Sequence, residues 1–311
     1  MRLEEFYHEY DSEEACRMKV RKLREAEGVV CKKCGHTAHY WKKDKQMWEC
    51  KACGYRTSLR AGTVMEHSNL PFKYWFTAIA YLSNTKKSIS ALELQRQLGH
   101  KRYEPIWAML KKLRTVMGYR DSKYELQDEI ELDEGFFEAP SSADANQGYG
   151  VGGDKVKVLV AVESKYVPDE EVLKHKKPKA VRYLKMKVIE KGVDNQVIKK
   201  ANTLIDPQAK VITDGSKSYK KLPDIIKEHI SIQCFNREDT SDVLPWVHTA
   251  ISNAKRLLLG IHHNVSKQYL QYYLDEFCYK FNRRYFGDRL FDRMLIASMS
   301  TTSVINRYKY G

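Results

Sequence analysis

The stretch EIELDEGFFEA (129–139) is a largely apolar, strand-like run that carries Asp133 near its centre. A second run, AKVITDG (209–215), ends with Asp214 and a glycine, and PWVHTAISNAKRLLLGIHHNVS (245–266) predicts a helix that carries Asn253. A pair of divalent metal ions needs such oxygen ligands, drawn from distant segments, to clamp the attacking and leaving oxygens of a phosphodiester. The order of these residues therefore points to metal-dependent chemistry on nucleic acid. The alternative is that both acids are strand-end turn residues or surface carboxylates.

The segments around these residues predict the fold of the second half of the chain. Runs of β-branched and alternating residues predict five strands: DEIELDEGFFEA (128–139), KVKVLVAVES (155–164), AVRYLKMKVIE (180–190), AKVITDG (209–215) and SIQCF (231–235). Between the third and fourth strands, DNQVIKKANTLI (194–205) predicts a helix. The Gly- and Ser-rich PSSADANQGYGVGGDK (140–155) is expected to be a flexible hairpin connection. This β-β-β-α-β order is that of an RNase H-like core. Asp133 would then lie on the first, central strand and Asp214 at the carboxyl end of the fourth.

The charge of the chain indicates a polyanionic partner. The 311 residues include 54 Lys+Arg against 40 Asp+Glu, a formal net charge of +14, and the isoelectric point is near 9.3. A chain this basic is expected to bind nucleic acid in a salt-dependent manner, although its lysines could equally be solvated surface groups. No leader-like or membrane-spanning run is evident, so we expect a cytoplasmic protein, acting at the nucleoid, whose thiols stay reduced.

Four of the seven cysteines form a repeated pattern, CKKCG (31–35) and CKACG (50–54), with fifteen residues between the inner cysteines. Two such knuckles supply the four thiolates of a tetrahedral zinc ribbon, and the predicted structural Zn²⁺ ligands are Cys31, Cys34, Cys50 and Cys53. Fortuitous spacing of buried cysteines is the alternative. Separate roles are expected for the remaining candidates: His36 and His39 as surface or DNA-facing groups, and Cys16, Cys234 and Cys278 as buried thiols. The ribbon could present basic residues to DNA or only pack against its neighbour.

The segment between ribbon and strands predicts a helix-turn-helix. NLPFKYWFTAIAYLS (69–83) is amphipathic, and SALELQRQLGHKRYEPIWAMLKKLRTVM (90–117) reads as two helices. Ser90 and Glu93 form a capping box, Gly99 supplies the turn and Pro105 starts the last helix. The basic residues available for DNA contact are Lys101, Arg102, Lys111, Lys112 and Arg114. Many three-helix units bind no DNA, but a neighbouring zinc ribbon in a basic chain favours this interpretation.

Nearly the whole chain resembles the DDE transposases of insertion-sequence family 1595. The matching stretches, in order, are CKKCGHTAHYWKKDKQMWECKACGYRTSLRAGTV, SALELQRQLGH, IELDEGFFEA, VITDGSKSY, WVHTAISNAKRLLLGIHH and YLQYYLDEFCYKFNRRYF. The resemblance implies a multidomain α/β protein: zinc ribbon (1–62), helix-turn-helix (63–120) and an RNase H-like α/β/α catalytic domain (121–311). It also implies catalytic Mg²⁺ or Mn²⁺, with terminal inverted repeats and target DNA as partners, and a dimer or larger synaptic assembly.

The same resemblance implies that Asp133 and Asp214 are metal ligands and that Asn253, followed by Lys255, supplies the third catalytic position. An amide oxygen is neutral and holds a hard cation less strongly than a carboxylate does, so Glu276 is a rival third ligand. We expect Asn253 to face the metals and Lys255 to reach a phosphate, unless it is a solvated lysine.

The neighbouring side chains have alternative roles. His248 and Arg256 are candidate DNA contacts, although His248 could equally be a satisfied helix histidine. By default, Asp275 or Glu276 is expected to pair with Arg283 or Arg284. The competing functions are a DNA-binding regulator that has lost activity and a zinc-ribbon scaffold for protein partners.

Overall fold

The computed structural model describes residues 1–139, 155–166, 179–189, 196–233, 243–263 and 265–299. The predicted connection at 140–154 and the thiol of Cys234 lie outside these ranges. The described chain divides into two compact units, one of Met1–Met117 with the segment from Phe286, and one of Gly118–Tyr285.

The first unit joins a small sheet to a group of helices. Its elements are α1 (Leu3–Glu9), α2 (Glu13–Glu27), β1 (His39–Lys42), β2 (Met47–Cys50), β3 (Arg56–Ser58), α3 (Phe72–Asn84), α4 (Ala91–Leu98) and most of α5 (Tyr103–Asp121). The strands form an antiparallel sheet in the order β1-β2-β3. Each Cys-x-x-Cys-Gly turn closes through a positive φ, 74° at Gly35 and 68° at Gly54, a conformation that glycine adopts without steric cost.

The helix boundaries of this unit follow from local capping. Ser90 accepts a hydrogen bond from the backbone N–H of Glu93 at 3.0 Å, which caps α4 at its start. Gly99 ends α4 in the left-handed region, with φ 63°. The carboxylate of Glu13 caps α3 from a distance, because it accepts from the backbone N–H groups of Phe72 and Lys73 at 3.0 and 2.9 Å. The predicted Ser90 and Gly99 signals therefore have their expected positions.

The second unit is built on one mixed sheet. Its elements are β4 (Glu129–Glu138), β5 (Lys155–Tyr166), β6 (Lys179–Val188), α6 (Gln196–Leu204), β7 (Lys210–Asp214), β8 (Glu228–Ile232), α7 (Pro245–His262) and α8 (Lys267–Asn282). The last helix, α9 (Leu290–Met299), belongs to the first unit, where it packs against α3. The strand order is β6-β5-β4-β7-β8. β4 is antiparallel to β5 and parallel to β7, and β8 is parallel to β7.

Two apolar layers cover this sheet. On one face α6 contributes Ala201 and Leu204 to a core with Ile130 and Leu132 of β4. On the other face α7 and α8 pack on the alternate residues of the same strands, including Phe137 and Val160. β4 lies at the centre of the sheet, so its residues are the ones most enclosed by both layers.

The last strand of the sheet differs from its prediction. The expected strand was SIQCF (231–235), whereas β8 is Glu228–Ile232 and pairs with β7 up to Asp214 and Ile232. β8 is a partly exposed edge strand that contains Glu228 and His229. It therefore lacks the apolar run by which a buried strand is recognised in a sequence.

Candidate metal centres

The four predicted zinc ligands converge at one point. Their Sγ atoms all lie within 4.8 Å of one another, and two pairs, Cys31 with Cys53 and Cys34 with Cys50, are 3.6 Å apart. A tetrahedron with Zn–S bonds of 2.3 Å has S–S edges of about 3.8 Å, so the sulfur positions suit zinc. Within the described ranges, this is the one group of three or more His, Cys, Asp or Glu side chains close enough to hold a metal ion.

The other described cysteines have the buried positions expected of them. Cys16 is fully buried, which raises the pKa of its thiol to about 12. Cys278 is 4 % exposed, and burial raises its thiol pKa well above the usual range. His36 is exposed, and the Nδ1 atom of His39 lies 2.9 Å from the carbonyl oxygen of Thr37. The zinc site therefore needs no histidine.

The two predicted acidic ligands lie on neighbouring parallel strands. β4 and β7 pair up to Glu131 and Ile212, and two residues further along each strand are Asp133 and Asp214. Residues two apart on a strand face the same side of the sheet, so this register brings the two carboxylates together. Burial, and after it the negative charge of Asp214, raise the pKa of Asp133 to about 6. Asp214 Oδ1 accepts a hydrogen bond from the backbone N–H of Ser216 at 3.1 Å, which orients it at the strand end.

Two further polar groups adjoin this acid pair and were not among the predicted site residues. Glu134 Oε2 lies 2.6 Å from Lys157 Nζ, but its Oε1 is buried and has no hydrogen-bond partner in the described part of the chain. The hydroxyl of Tyr219 is buried and likewise lacks a partner there. Burial, followed by the charges of Glu134, Asp133 and Asp214, raises the pKa of Tyr219 far above its usual range. In the sequence, only the position of Glu134 directly after Asp133 indicated that it would lie near the acid pair.

The chemistry of this acidic edge fits a hard divalent cation. Its donors are carboxylate oxygens, the ligands that Mg²⁺ and Mn²⁺ take in proteins. A bound cation would offset the repulsion between Asp133 and Asp214.

Helix α7 brings His248 and Lys255 to the same side of the sheet. His248 Nε2 lies 3.8 Å from Asp133 Oδ2. Lys255 Nζ lies 5.6 Å from the centre of the Phe137 ring. Both side chains line a cavity of about 770 Å³, together with Ile251 and residues 134–138 of β4. The cavity is bounded by apolar, cationic and acidic groups, and His248, which lines it, also lies beside Asp133.

Asn253 occupies a different side of α7. Residues five apart on an α-helix are separated by about 140° around its axis, so Asn253 points away from the direction of His248. Its side chain is exposed, and its Oδ1 accepts a hydrogen bond from Arg256 Nη2 at 2.9 Å. The structure thus places His248, and not Asn253, against Asp133.

The rival ligand Glu276 lies in α8, which packs on β6. It is 1 % exposed, and its Oε1 lies 4.0 Å from Lys280 Nζ. Asp275 lies 3.4 Å from Lys187 of β6. The predicted pairing of these acids with Arg283 or Arg284 is therefore wrong.

Arg283 and Arg284 pair instead with groups that the fold brings close to the end of α8. Arg283 forms an ion pair with the buried Asp121, and Arg284 donates to the backbone carbonyl groups of Val181 and Arg182. They follow the end of α8, where the chain passes the first residues of β6 and the end of α5. The partners that these segments provide are distant in the sequence.

The candidate DNA contacts of the first unit differ in accessibility. Lys101 and Arg102 are exposed at the turn between α4 and α5. Lys111 and Lys112 are half-buried; Lys112 Nζ donates to the carbonyl of Glu66 at 2.8 Å, and burial lowers the pKa of Lys111.

Arg114 departs from its predicted role. It is 2 % exposed, and its Nη2 lies 3.4 Å from the carbonyl oxygen of Ile89. At helical spacing from Leu110 and Met117 it falls on the buried side of α5 and closes the α3–α4 connection. In this position it offers no surface to DNA. In the second unit, Arg256 is exposed and His248 is half-buried.

No helix in the described part of the chain is both long and apolar enough to cross a membrane.

Comparison with known families gives two matches and one negative result. Residues 125–282 match the ISXO2-like transposase domain, and residues 11–56 match the transposase zinc-ribbon domain. A search among curated proteins found no match. The first match covers β4 to α8 and includes Asp133, Asp214 and Asn253; the second includes all four cysteines of the zinc site. The chain therefore belongs to the insertion-sequence family 1595 transposases, with an N-terminal zinc ribbon followed by a mixed α/β transposase domain.

Proposed function

We propose that the protein is a Mg²⁺- or Mn²⁺-dependent DNA transposase, which binds the terminal inverted repeats of its element, cleaves a strand there and joins the freed 3′ hydroxyl to target DNA. The observation that carries this proposal is the pair of carboxylates, Asp133 and Asp214, side by side on parallel strands, where the charge of Asp214 disfavours ionisation of Asp133. Such a pair is costly to a metal-free protein and useful to one that binds divalent cations.

The fold supports the proposal. The sheet order β6-β5-β4-β7-β8, with three antiparallel strands followed by two parallel ones, is consistent with an RNase H-like catalytic domain. The capped turn between α4 and α5 supports a helix-turn-helix with Lys101 and Arg102 toward DNA. We propose that the chain divides into domains of residues 1–62, 63–120 and 121–311, although α9 of the last segment packs with α3.

The candidate residues would have different roles in the reaction. Asp133 and Asp214, with Asn253 as the proposed third ligand, would hold the metal ions, which stabilise charge on the attacking and leaving oxygens. Lys255 would hold a phosphate at the far end of the cavity, and His248 would orient Asp133. Because Asn253 faces away from the acid pair, it can serve as a ligand only after α7 turns and its hydrogen bond from Arg256 is released, a change that we expect on binding DNA. No nucleophilic side chain is required, since water and then the DNA end attack in line.

The assembly follows from the substrate. Because two ends of one element must be held together, we propose a dimer or larger synaptic complex, acting at the nucleoid of its host. The strongly basic first unit and the exposed Arg256 would contribute phosphate contacts, which predicts a steep loss of end affinity with salt.

The decisive experiment compares nicking with binding on a duplex that carries the inverted repeat found beside the gene. Asp133→Asn and Asp214→Asn should lower nicking more than about 100-fold, because even outer-shell partners of metal ligands are worth 10–100-fold. End binding in a gel shift should stay nearly unchanged. Asp224→Asn, an exposed acid in the same unit, serves as the matched control. Retained nicking by either variant would sink the metal assignment. A wild-type protein that binds ends and never nicks them would instead be a regulator.

A further inference from the structure

A buried carboxylate of the central strand binds the start of helix α7. Glu131 is 6 % exposed, and its Oε2 accepts hydrogen bonds from the backbone N–H groups of Trp246 and Val247 at 2.8 and 3.0 Å. The N-cap residue of α7, Leu244, provides no side-chain hydrogen bond. The first N–H groups of a helix have no partner within the helix, and a carboxylate is the acceptor that best matches their positive dipole end. Glu131 therefore caps α7 from a distant part of the chain.

The contacts continue in step along the strand and the helix. On the face of β4 that carries Glu131, the next residues are Asp133, Gly135 and Phe137. Asp133 meets His248 at 3.8 Å, a Cβ built on Gly135 would lie 3.1 Å from Ile251, and the ring of Phe137 lies 5.6 Å from Lys255.

These contacts imply that α7 runs along β4. Two residues advance a strand by about 6.8 Å, and four residues advance a helix by about 6 Å, so the two elements stay in register over their contact.

We propose that Glu131 is a positioning residue that fixes the register of α7 on β4. Its two hydrogen bonds set where the helix starts, and this start places His248 beside Asp133 and Lys255 at the far end of the cavity. A helix without this anchor is held to the sheet mainly by apolar contacts, such as those of Val247 and Ile251, which allow small rotations and shifts. The catalytic consequence rests on the proposed transposase function, but the register of the helix does not.

The chain offers a matched control for the loss of a buried carboxylate. Glu163 of β5 is 2 % exposed and accepts a backbone hydrogen bond from Gln127 at 2.8 Å. Its strand neighbour is Ile130, but its hydrogen bond goes to the segment before β4 and not to α7. Glu163→Ala therefore also removes a buried carboxylate, with its ion pair to Arg182 at 3.5 Å, but leaves the cap of α7 in place.

The first measurement is hydrogen exchange of the backbone amides at 246–256 in the full chain, without DNA. Glu131→Ala should speed exchange in this segment at least about 10-fold relative to Glu163→Ala, because the start of the helix loses its acceptor. Glu131→Gln keeps one acceptor oxygen and the fold, and should give intermediate exchange. Equal exchange in Glu131→Ala and Glu163→Ala would overturn the proposal, and so would a Gln variant that behaves as Ala.

The second measurement is nicking of an end-containing duplex in single turnover. Glu131→Ala should slow the step about 10- to 100-fold with end affinity changed less than about threefold, since a misplaced group costs rate rather than binding. Glu131→Gln should recover part of the rate, and Glu163→Ala should stay within about threefold of wild type. Faster exchange with a normal nicking rate would refute the positioning role. If the wild-type protein itself never nicks, the proposed function fails, while the exchange comparison still decides the register.

Discussion

Replacement of Gly135 by alanine tests how closely β4 and α7 must approach beside the acid pair. A Cβ at this position would lie 3.1 Å from Ile251 Cγ1, 3.2 Å from Ile251 Cδ1 and 3.2 Å from Phe137 Cε2. Carbon atoms in favourable contact are about 3.5–4.0 Å apart, so the helix and strand must separate by a few tenths of an ångström. Overpacking of this size costs about 1–3 kcal/mol. For a unit of this length each kcal/mol lowers the melting temperature by about 2–4 °C.

The expected result is a melting temperature about 2–12 °C lower in thermal unfolding, with nicking slowed about 10-fold because His248 moves relative to Asp133. Gly260→Ala in α7 is the matched control, since nothing lies within 4 Å of a Cβ built at Gly260. It should be neutral or stabilising, because alanine is favoured over glycine inside a helix.

A double-mutant cycle decides whether the contact with Ile251 is the cause. Ile251→Ala alone should cost about 2–5 kcal/mol, since Ile251 is buried in the core under α7. It also removes two of the three atoms that the new Cβ would meet, leaving only Phe137 Cε2. Gly135→Ala with Ile251→Ala should therefore be less destabilised than the sum of the single changes, by about 1 kcal/mol or more. Additive losses, or a Gly135→Ala protein with wild-type stability and nicking, would refute the reasoning.

Three further predictions concern the two metal sites and a buried lysine. Cys50→Ser should lower the zinc content from about one ion per chain and weaken end binding, as measured by metal analysis and gel shift, because zinc binding supplies folding free energy; normal binding by a zinc-free protein would contradict it. Asn253→Ala should nearly abolish nicking, and Asn253→Glu should restore it at lower Mg²⁺; in a metal titration, a mild Asn253→Ala with a severe Glu276→Gln would transfer the ligand role to Glu276. Burial lowers the pKa of Lys185 to about 8, so in urea unfolding the wild-type stability should rise between pH 8 and pH 10.5. Lys185→Met should remove this pH dependence of the free energy of unfolding. The variant should be more stable than wild type at pH 7 by up to about 3 kcal/mol, reduced by the loss of the hydrogen bond from Lys185 to the backbone carbonyl group of Tyr124. An unchanged pH dependence in the variant would show that Lys185 does not cause it.

The sequence predicted those features that depend on local chemistry or on strand order. The Cys-x-x-Cys-Gly turns carry their own geometry, so the four sulfurs could be assigned before any fold was known. Ser90 and Gly99 cap α4 through interactions within a few residues. The placement of Asp133 and Asp214 on parallel neighbours required only the order of the strands, because the carboxyl ends of parallel strands meet at one edge.

The features that the sequence missed depend on contacts between distant segments. Arg114 has the spacing of a buried helix residue, which its place in a basic run concealed, and its partner, the carbonyl group of Ile89, lies in the α3–α4 connection. Glu131 reads as one more polar residue in an alternating strand, and its partner amides lie 115 and 116 positions later. The pairing of Arg283 with Asp121 spans 162 positions. No periodicity or spacing rule encodes such partners, since tertiary packing alone brings them together.

Glu134 bears on the neutral third ligand proposed for this site. Replacement of a carboxylate by Asn253 would leave two charges, those of Asp133 and Asp214, to hold a pair of divalent cations. Glu134 adds a third negative charge next to Asp133, whose ionisation it disfavours, but it lies on the face of β4 that carries Ile130 and Leu132. Its second oxygen is buried and has no described hydrogen-bond partner, while Lys157 offsets part of its charge through the first. Glu134 would therefore add negative potential near the proposed cations without being a ligand itself, which favours their binding although the third proposed ligand is an amide.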